Sequence, residues 1–241
     1  MKTINKTELL ILIFIPTLVM SVVYFVLGHF IKIPNLLLFC IIGTFTMFPI
    51  ELGIILKASK KETGKYSLAS AFVGYEKMPL WKIFVIAFLF FGIAGLLSVT
   101  VAPLENYFFL GARNGLLSHL PTGFDWTDYA YLRTFSKPML VLTCSYYFLF
   151  NVFVGPITEE LFFRGYLTSH YNKQTASTPI VIAILFSLYH FWLPFNNVFR
   201  ILAFAPVAYV AYKKKNIYIS ILFHCMCNLF SVVGFIVEVM K

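Results

Sequence analysis

Charge is what this chain lacks. Of its 241 residues only 12% are charged, against 60% hydrophobic, and the mean hydropathy is +0.83. Soluble chains carry roughly a quarter charged residues, so a water-facing surface cannot be built from this composition. Acidic residues are scarcest, ten against nineteen basic, for a net charge of +9. Such an excess can mark a nucleic-acid binder. Here the basic residues stand in short runs between apolar segments, as in membrane-protein loops, which argues against nucleic acid as a partner. The four cysteines, Cys40, Cys144, Cys225 and Cys227, all lie in apolar runs, which favours buried free thiols over disulfides. Cys225 and Cys227, two apart, point to different helix faces and make a poor metal pair. There is no internal repeat, no low-complexity tail and no room for a separate soluble domain. The first apolar run, Leu9 to Leu27, is longer than a signal-peptide core and lacks a small-residue cleavage site, so it reads as a span.

What is present is apolar helix. The expectation is an all-α fold, a polytopic transmembrane helix bundle of about seven spans, forming one integral membrane domain over residues 1–241 with the lipid bilayer as solvent. The spans fall near 8–28, 35–56, 82–102, 139–172, 176–192, 197–212 and 217–239. Lys57, Lys60, Lys61, Lys65, Lys77 and Lys82 make a basic loop, and Lys213, Lys214 and Lys215 separate the last two spans. The excess of lysine places both loops in the cytoplasm. Seven crossings then leave the amino terminus inside and the carboxyl terminus outside. The 103–137 segment, with balanced charges including Glu105, Arg113 and Asp125, reads as an outer loop with an interfacial helix. As one helix, 139–172 would be about 50 Å long, beyond the roughly 30 Å hydrocarbon thickness. It is expected either to break at Gly155-Pro156 or to project its polar end, Ser169 to Gln174, into the cytosol. His224 would lie about 15 Å in from the triple lysine, which points to a cytoplasm-facing cavity.

Ionisable side chains in membrane helices are expensive and mark function by default. The sequence 156–165 reads Pro-Ile-Thr-Glu-Glu-Leu-Phe-Phe-Arg-Gly. Glu160 and Arg164 are four apart, share a helix face and can neutralise each other. Glu159 points about 100° away and has no such partner. A lone desolvated carboxylate suits general base work. The bland alternative for this cluster is an ion-paired packing clamp. His190 closes the run Phe186-Ser-Leu-Tyr-His190, with Phe186 on its face. A single histidine in an apolar helix is usually a satisfied core residue. Glu159 and His190 lie almost equally far from the turn near Lys173–Gln174, so an antiparallel hairpin brings them to one depth. His224 and Asn228, also four apart, make a donor pair suited to an oxyanion, or equally to interhelical hydrogen bonding. Glu51 is a bundle-facing carboxylate with no partner to name. His29, His119 and His170 sit at span edges.

Glu-Glu-x-x-x-Arg, Phe-x-x-x-His and His-x-x-x-Asn occur in that order on successive apolar segments. In this the chain resembles the CAAX protease and bacteriocin-processing family of intramembrane proteases, whose best-known members are type II CAAX prenyl endopeptidases. The resemblance covers a catalytic core of about 140–235. It implies that Glu159 and His190 activate water, that His224 and Asn228 hold the oxyanion, and that Glu160 and Arg164 order the glutamate helix. It implies an endopeptidase for a membrane-associated, hydrophobic or lipidated peptide. Glu159, His190 and His224 could instead ligate zinc. The Glu-Glu motif is not the His-Glu-x-x-His signature, however, so no metal and no other cofactor is expected. A composition rich in Lys, Ile, Phe and Asn suits an AT-rich bacterial genome, hence a bacterial cell membrane and a role in peptide pheromone or bacteriocin maturation or immunity. The alternatives are a non-catalytic membrane scaffold or immunity protein of the same fold, and a small proton-coupled transporter. The absence of inverted repeats disfavours the transporter.

Overall fold

The computed structural model describes residues 3–241. Among them all regular elements are helical, and the one extended pairing is an isolated bridge between Ile4 and Tyr171. Seven apolar helices carry the fold: α1 (Lys6–Gly28), α2 (Asn35–Thr63), α3 (Leu80–Leu117), α4 (Lys137–His170), α5 (Thr178–Leu188), α6 (Asn197–Lys213) and α7 (Tyr218–Met240). Local chemistry sets their ends. Asn5 and Glu8 close a reciprocal capping box at the start of α1, at 2.9 and 3.0 Å. Gly64, at φ +79°, ends α2 in the left-handed conformation that glycine adopts without penalty.

All turns rich in lysine meet at one end of the bundle. There the Lys215 ammonium stands 2.8 Å from Glu76, Asn216 donates to the Glu76 carbonyl at 3.0 Å, and His170 contacts Glu62 at 3.0 Å. Ile4 N–H donates to the His170 carbonyl, which ties the amino-terminal segment to the same end. The opposite end gathers residues 118–136 and the carboxyl terminus, where Arg133 donates to the Glu238 carbonyl. The alternation of seven segments between two ends therefore agrees with the expected connectivity.

Several expected boundaries move. The third span does not stop at Pro103: α3 runs on through it to Leu117, 38 residues and about 57 Å. A proline removes one N–H bond but need not end a helix that is otherwise supported. Glu105 is consequently not a loop residue. It is 5% exposed, and its two oxygens accept the Val198 and Phe199 N–H groups at 2.8 Å each, which caps α6 and fixes it against α3. The remainder of the expected outer loop holds a four-residue helix, Tyr129–Leu132, and buries Trp126 against Tyr24, with indole N–H to hydroxyl at 2.9 Å. The fourth segment does not break at Gly155-Pro156. It stays helical to His170 through two wide turns, Phe150–Val154 and Leu161–Leu167, that bracket the glutamate turn Gly155–Glu160. Widened turns accommodate the proline ring and its missing N–H, and they recur at functional sites. The lysine-end tip of α4 is thus the part that extends. Gly165 faces the turn at 69–71, where an added Cβ would stand 2.6 Å from the Ala71 carbonyl oxygen.

The largest difference concerns α5. Five helices are long and apolar enough to cross a membrane by themselves, but α5 has only 11 residues, about 16 Å. It ends at Leu188, and residues 189–196 complete the passage without regular helix. A helix that stops inside a bundle leaves carbonyls that lipid cannot satisfy. Here three are taken by side chains. His190 Nδ1 takes the Phe186 carbonyl at 2.7 Å, Arg200 Nη1 the Ser187 carbonyl at 3.0 Å, and the buried Thr17 hydroxyl the Tyr189 carbonyl at 2.7 Å. The core centres on this region, with Phe162, Phe163, Leu167, Phe186, Tyr189 and Phe223 all inaccessible. The outer face of α3 does the opposite: Phe84, Phe88, Leu89, Leu96 and Phe108 are 57–77% exposed, a continuous apolar surface suited to lipid. The structure predicts that Thr17→Val, which keeps the shape and removes the donor, destabilises the fold by about 1 kcal/mol, since the Tyr189 carbonyl then keeps only the Phe191 N–H at 2.9 Å. Thermal unfolding in detergent reads this, and a neutral result would show that the end of α5 is satisfied by other means.

Candidate active site

The glutamate turn of α4 faces α5, α7 and α2. Glu160 is inaccessible and acts as a hub. Its Oε1 stands 3.2 Å from Arg164 Nη1 and 3.0 Å from His224 Nδ1. The arginine contact is an ion pair without hydrogen-bond alignment, since the guanidinium is turned flat against aromatic rings, 4.1 Å over Phe186 and 5.4 Å from Phe204. The neighbouring charges thus lie one turn apart on α4, as the spacing predicts, and the glutamate also reaches across to α7. With Nδ1 facing a carboxylate, it is the proton-bearing nitrogen, and the His224 ring is fixed with Nε2 towards Glu159.

Glu159 is 6% exposed and borders the main cavity. Its Oε1 accepts the Tyr189 hydroxyl at 2.6 Å, and its Oε2 is 3.7 Å from His224 Nε2. That gap exceeds a hydrogen bond, and one water touching both groups fits it geometrically. The hairpin argument therefore holds for depth: α4 and α5 bring Glu159 level with the end of α5. The side chain that meets Glu159 is Tyr189, one residue before His190. The reason lies in the helix end. Tyr189 is still on the inward turn, whereas His190 has left the helix and folds its Nδ1 back to the Phe186 carbonyl. The bonded nitrogen must carry the proton because a carbonyl only accepts, so Nε2 is the open lone pair, and His190 borders the same cavity. Phe186 forms the common wall, with ring centroids 4.9 Å from His190 and 5.8 Å from His224. Asn228, one turn beyond His224, also borders the cavity and donates to the Asn151 carbonyl at 2.8 Å, which leaves its second amide hydrogen free.

The cavity encloses about 620 Å³. It extends from Glu159 and His224 past Tyr147 and Phe235 to Leu36, Trp126 and Thr127, that is, away from the lysine-rich end. The expectation of a cavity facing the lysine loops is thereby corrected. Phe162, Phe163, Leu167 and Tyr189 seal that side. On α3 the cavity wall is low: a Cβ added at Gly92 or Gly95 would meet nothing within 4 Å. Among the described residues no three His, Cys, Asp or Glu side chains are grouped so as to hold a metal ion, and Glu159, His190 and His224 do not converge as ligands. Cys40 and Cys144 are buried free thiols, as expected, while Cys225 and Cys227 are half-buried ones.

Three contributors escape the sequence reading. Tyr189 carried a signal only in its adjacency to His190. Asn151 carried none. Arg200, 8% exposed and bordering the cavity, should have been found, because an arginine within an apolar helix is the same anomaly as Glu159. Glu51 is inaccessible, neither of its oxygens makes a hydrogen bond to the described residues, and it lies near Glu159 and Tyr189.

A polytopic helical bundle with a carboxylate, two histidines and an amide around one internal cavity has the components of an intramembrane hydrolase. The family model described as type II CAAX prenyl endopeptidase Rce1-like matches residues 141–230, from α4 into α7. Over that segment the chain is similar to a family of CAAX-type proteases. No curated protein and no solved structure matches it.

The hub predicts a specific stability pattern. Arg164→Met leaves Glu160 buried without its cation, and removing one partner of a buried pair costs about 3–5 kcal/mol. In the double variant Glu160→Gln/Arg164→Met the charges leave together and much of the loss returns. Unfolding curves of the three proteins check this, and equal destabilisation of single and double variants would refute the coupling.

Proposed function

We propose that the protein is a glutamate-dependent intramembrane endopeptidase acting on a membrane-associated or hydrophobic peptide. The observation that carries this is the pairing of roles in adjacent residues. Glu160 is consumed by Arg164 and His224, while Glu159, one residue earlier, presents a carboxylate to the cavity with only the Tyr189 hydroxyl upon it. In the reaction, Glu159 removes a proton from a water lying between it and His224, and the water oxygen bonds to the peptide carbonyl carbon. His190 Nε2, an open acceptor, orients that water from the α5 side. The carbonyl electron pair moves onto oxygen, where the free Asn228 amide hydrogen donates to it; His224 donates from Nε2 as well when the ring carries a second proton, its first being held at Nδ1 against Glu160. When the tetrahedral centre collapses, the C–N bond breaks, and the leaving amine takes its proton from Glu159. The step requires no metal. Tyr189 and Phe186 hold the carboxylate and histidines in place.

The apolar walls, Phe91, Trp126, Trp192, Phe230 and Phe235 among them, suit a hydrophobic chain. The low wall at Gly92 and Gly95 offers an approach from the lipid side. With the lysine end in the cytoplasm, the amino terminus lies inside and the cavity extends towards the outer leaflet. That orientation suits a precursor presented from the membrane or its outer surface, such as a bacterial peptide pheromone or bacteriocin. In such a host, peptidomics of wild-type cells and a Glu159→Gln strain should show a precursor that accumulates only in the variant. Purified protein in nanodiscs should cut that precursor about 10²–10⁴ times faster than Glu159→Gln does. Equal cutting by both proteins would remove Glu159 from the chemistry, and no accumulated precursor together with no cutting would leave the fold without a peptidase role.

A further inference from the structure

Among the described residues Arg200 is the only lysine or arginine that borders the cavity, and Glu159 is the only aspartate or glutamate. Its guanidinium is only partly used. Nη1 donates to the Ser187 carbonyl at 3.0 Å, with longer contacts of 3.4 Å to Ser187 Oγ and Asn197 Oδ1. Nε and Nη2 make no hydrogen bond to the described residues. No carboxylate lies within ion-pairing distance of it among the described residues. Glu105 of α3, which caps the start of Arg200's helix, has both oxygens committed to backbone N–H groups. A buried cation without a counter-ion is costly, and the cost falls when an anion arrives. The unused atoms are the Nε–Nη2 edge, two parallel donors that match the two oxygens of a carboxylate.

We infer that Arg200 is a substrate-binding residue whose free guanidinium edge anchors a carboxylate of the peptide in the cavity. This rests on the cavity being the peptide site, and it adds the chemistry the peptide must carry. Arg200 lies within electrostatic reach of Glu159 and His190, so a carboxylate held on its guanidinium stands with the cation beside it and close to the general base. The carboxylate belongs either to a free carboxyl terminus or to an acidic side chain near the cut.

Binding tests this without cleavage. Trp126 and Trp192 border the cavity, so intrinsic fluorescence of the full-length protein in nanodiscs reads occupancy. Three probes suffice: acetyl-Leu-Phe-Leu-Leu with a free carboxylate, the same peptide as its amide, and the amide of acetyl-Leu-Phe-Asp-Leu. Wild type should bind at least one carboxylate probe about tenfold more tightly than the neutral amide, a charge-assisted gain. Preference for the first locates the anion at the chain end, and for the third on a side chain. Arg200→Gln should erase the preference, and Arg200→Lys, a point charge without the fork, should keep part of it. Equal binding of all three probes by wild type overturns the inference, as does a preference that survives Arg200→Gln. Should that variant not fold, wild type and Arg200→Lys carry the test. A carboxylate preference in a protein that cuts no peptide would leave Arg200 as proposed and remove the peptidase reading alone.

Discussion

The structure depends on ending a helix inside the membrane. Helix α5 is too short to cross, and its final carbonyls lose the regular helical donors, which the irregular turn that follows replaces only in part. The side chains that take them are His190, Arg200 and Thr17. Two of these three also border the cavity. The same hydrogen bonds that close α5 therefore fix a histidine tautomer and aim a guanidinium. The irregular segment 189–196 is tolerated because it lines a cavity and not lipid, and the cavity exists because regular helix stops there. Glu105 completes the arrangement from outside by capping α6 through two backbone N–H groups.

The second organising feature is the division of labour between two adjacent carboxylates. Burial of a lone charge is expensive, and burial of a compensated one much less so. Glu160 is compensated twice, by an arginine from its own helix and a histidine from α7, which places α4 and α7 in register. Glu159 is held by a single phenolic hydrogen bond and retains capacity to accept a proton. The wide turns on either side of Gly155–Glu160 let both residues point inward although they are sequence neighbours. Phe186 is the shared support, touched by Arg164 and by both histidines. A family match that begins in α4 and ends in α7 covers this assembly. Helices α1–α3 add Thr17, the low wall at Gly92 and Gly95, and Glu105, each of which completes something the matched segment leaves open.

The sequence by itself determined the class of structure, the number of apolar segments and their alternation, because hydropathy and the positions of lysine reflect solvent alone. It also separated Glu160 from Glu159, since helix geometry makes residues four apart neighbours. Local spacing could reveal neither the continuation of α3 through Pro103 nor the early end of α5. Both rest on distant partners, Glu105 with the start of α6 in one case and Thr17 and Arg200 with carbonyls in the other. For the same reason the hairpin argument found the right depth and named His190 where Tyr189 makes the contact: a residue's direction at a helix end depends on which turn is its last. The cavity's direction was likewise a tertiary outcome. Distance from the triple lysine measured how deep His224 lies, but the seal of Phe162, Phe163 and Leu167 on one side decides which way the space opens, and aromatic packing between helices is written in no single stretch of chain.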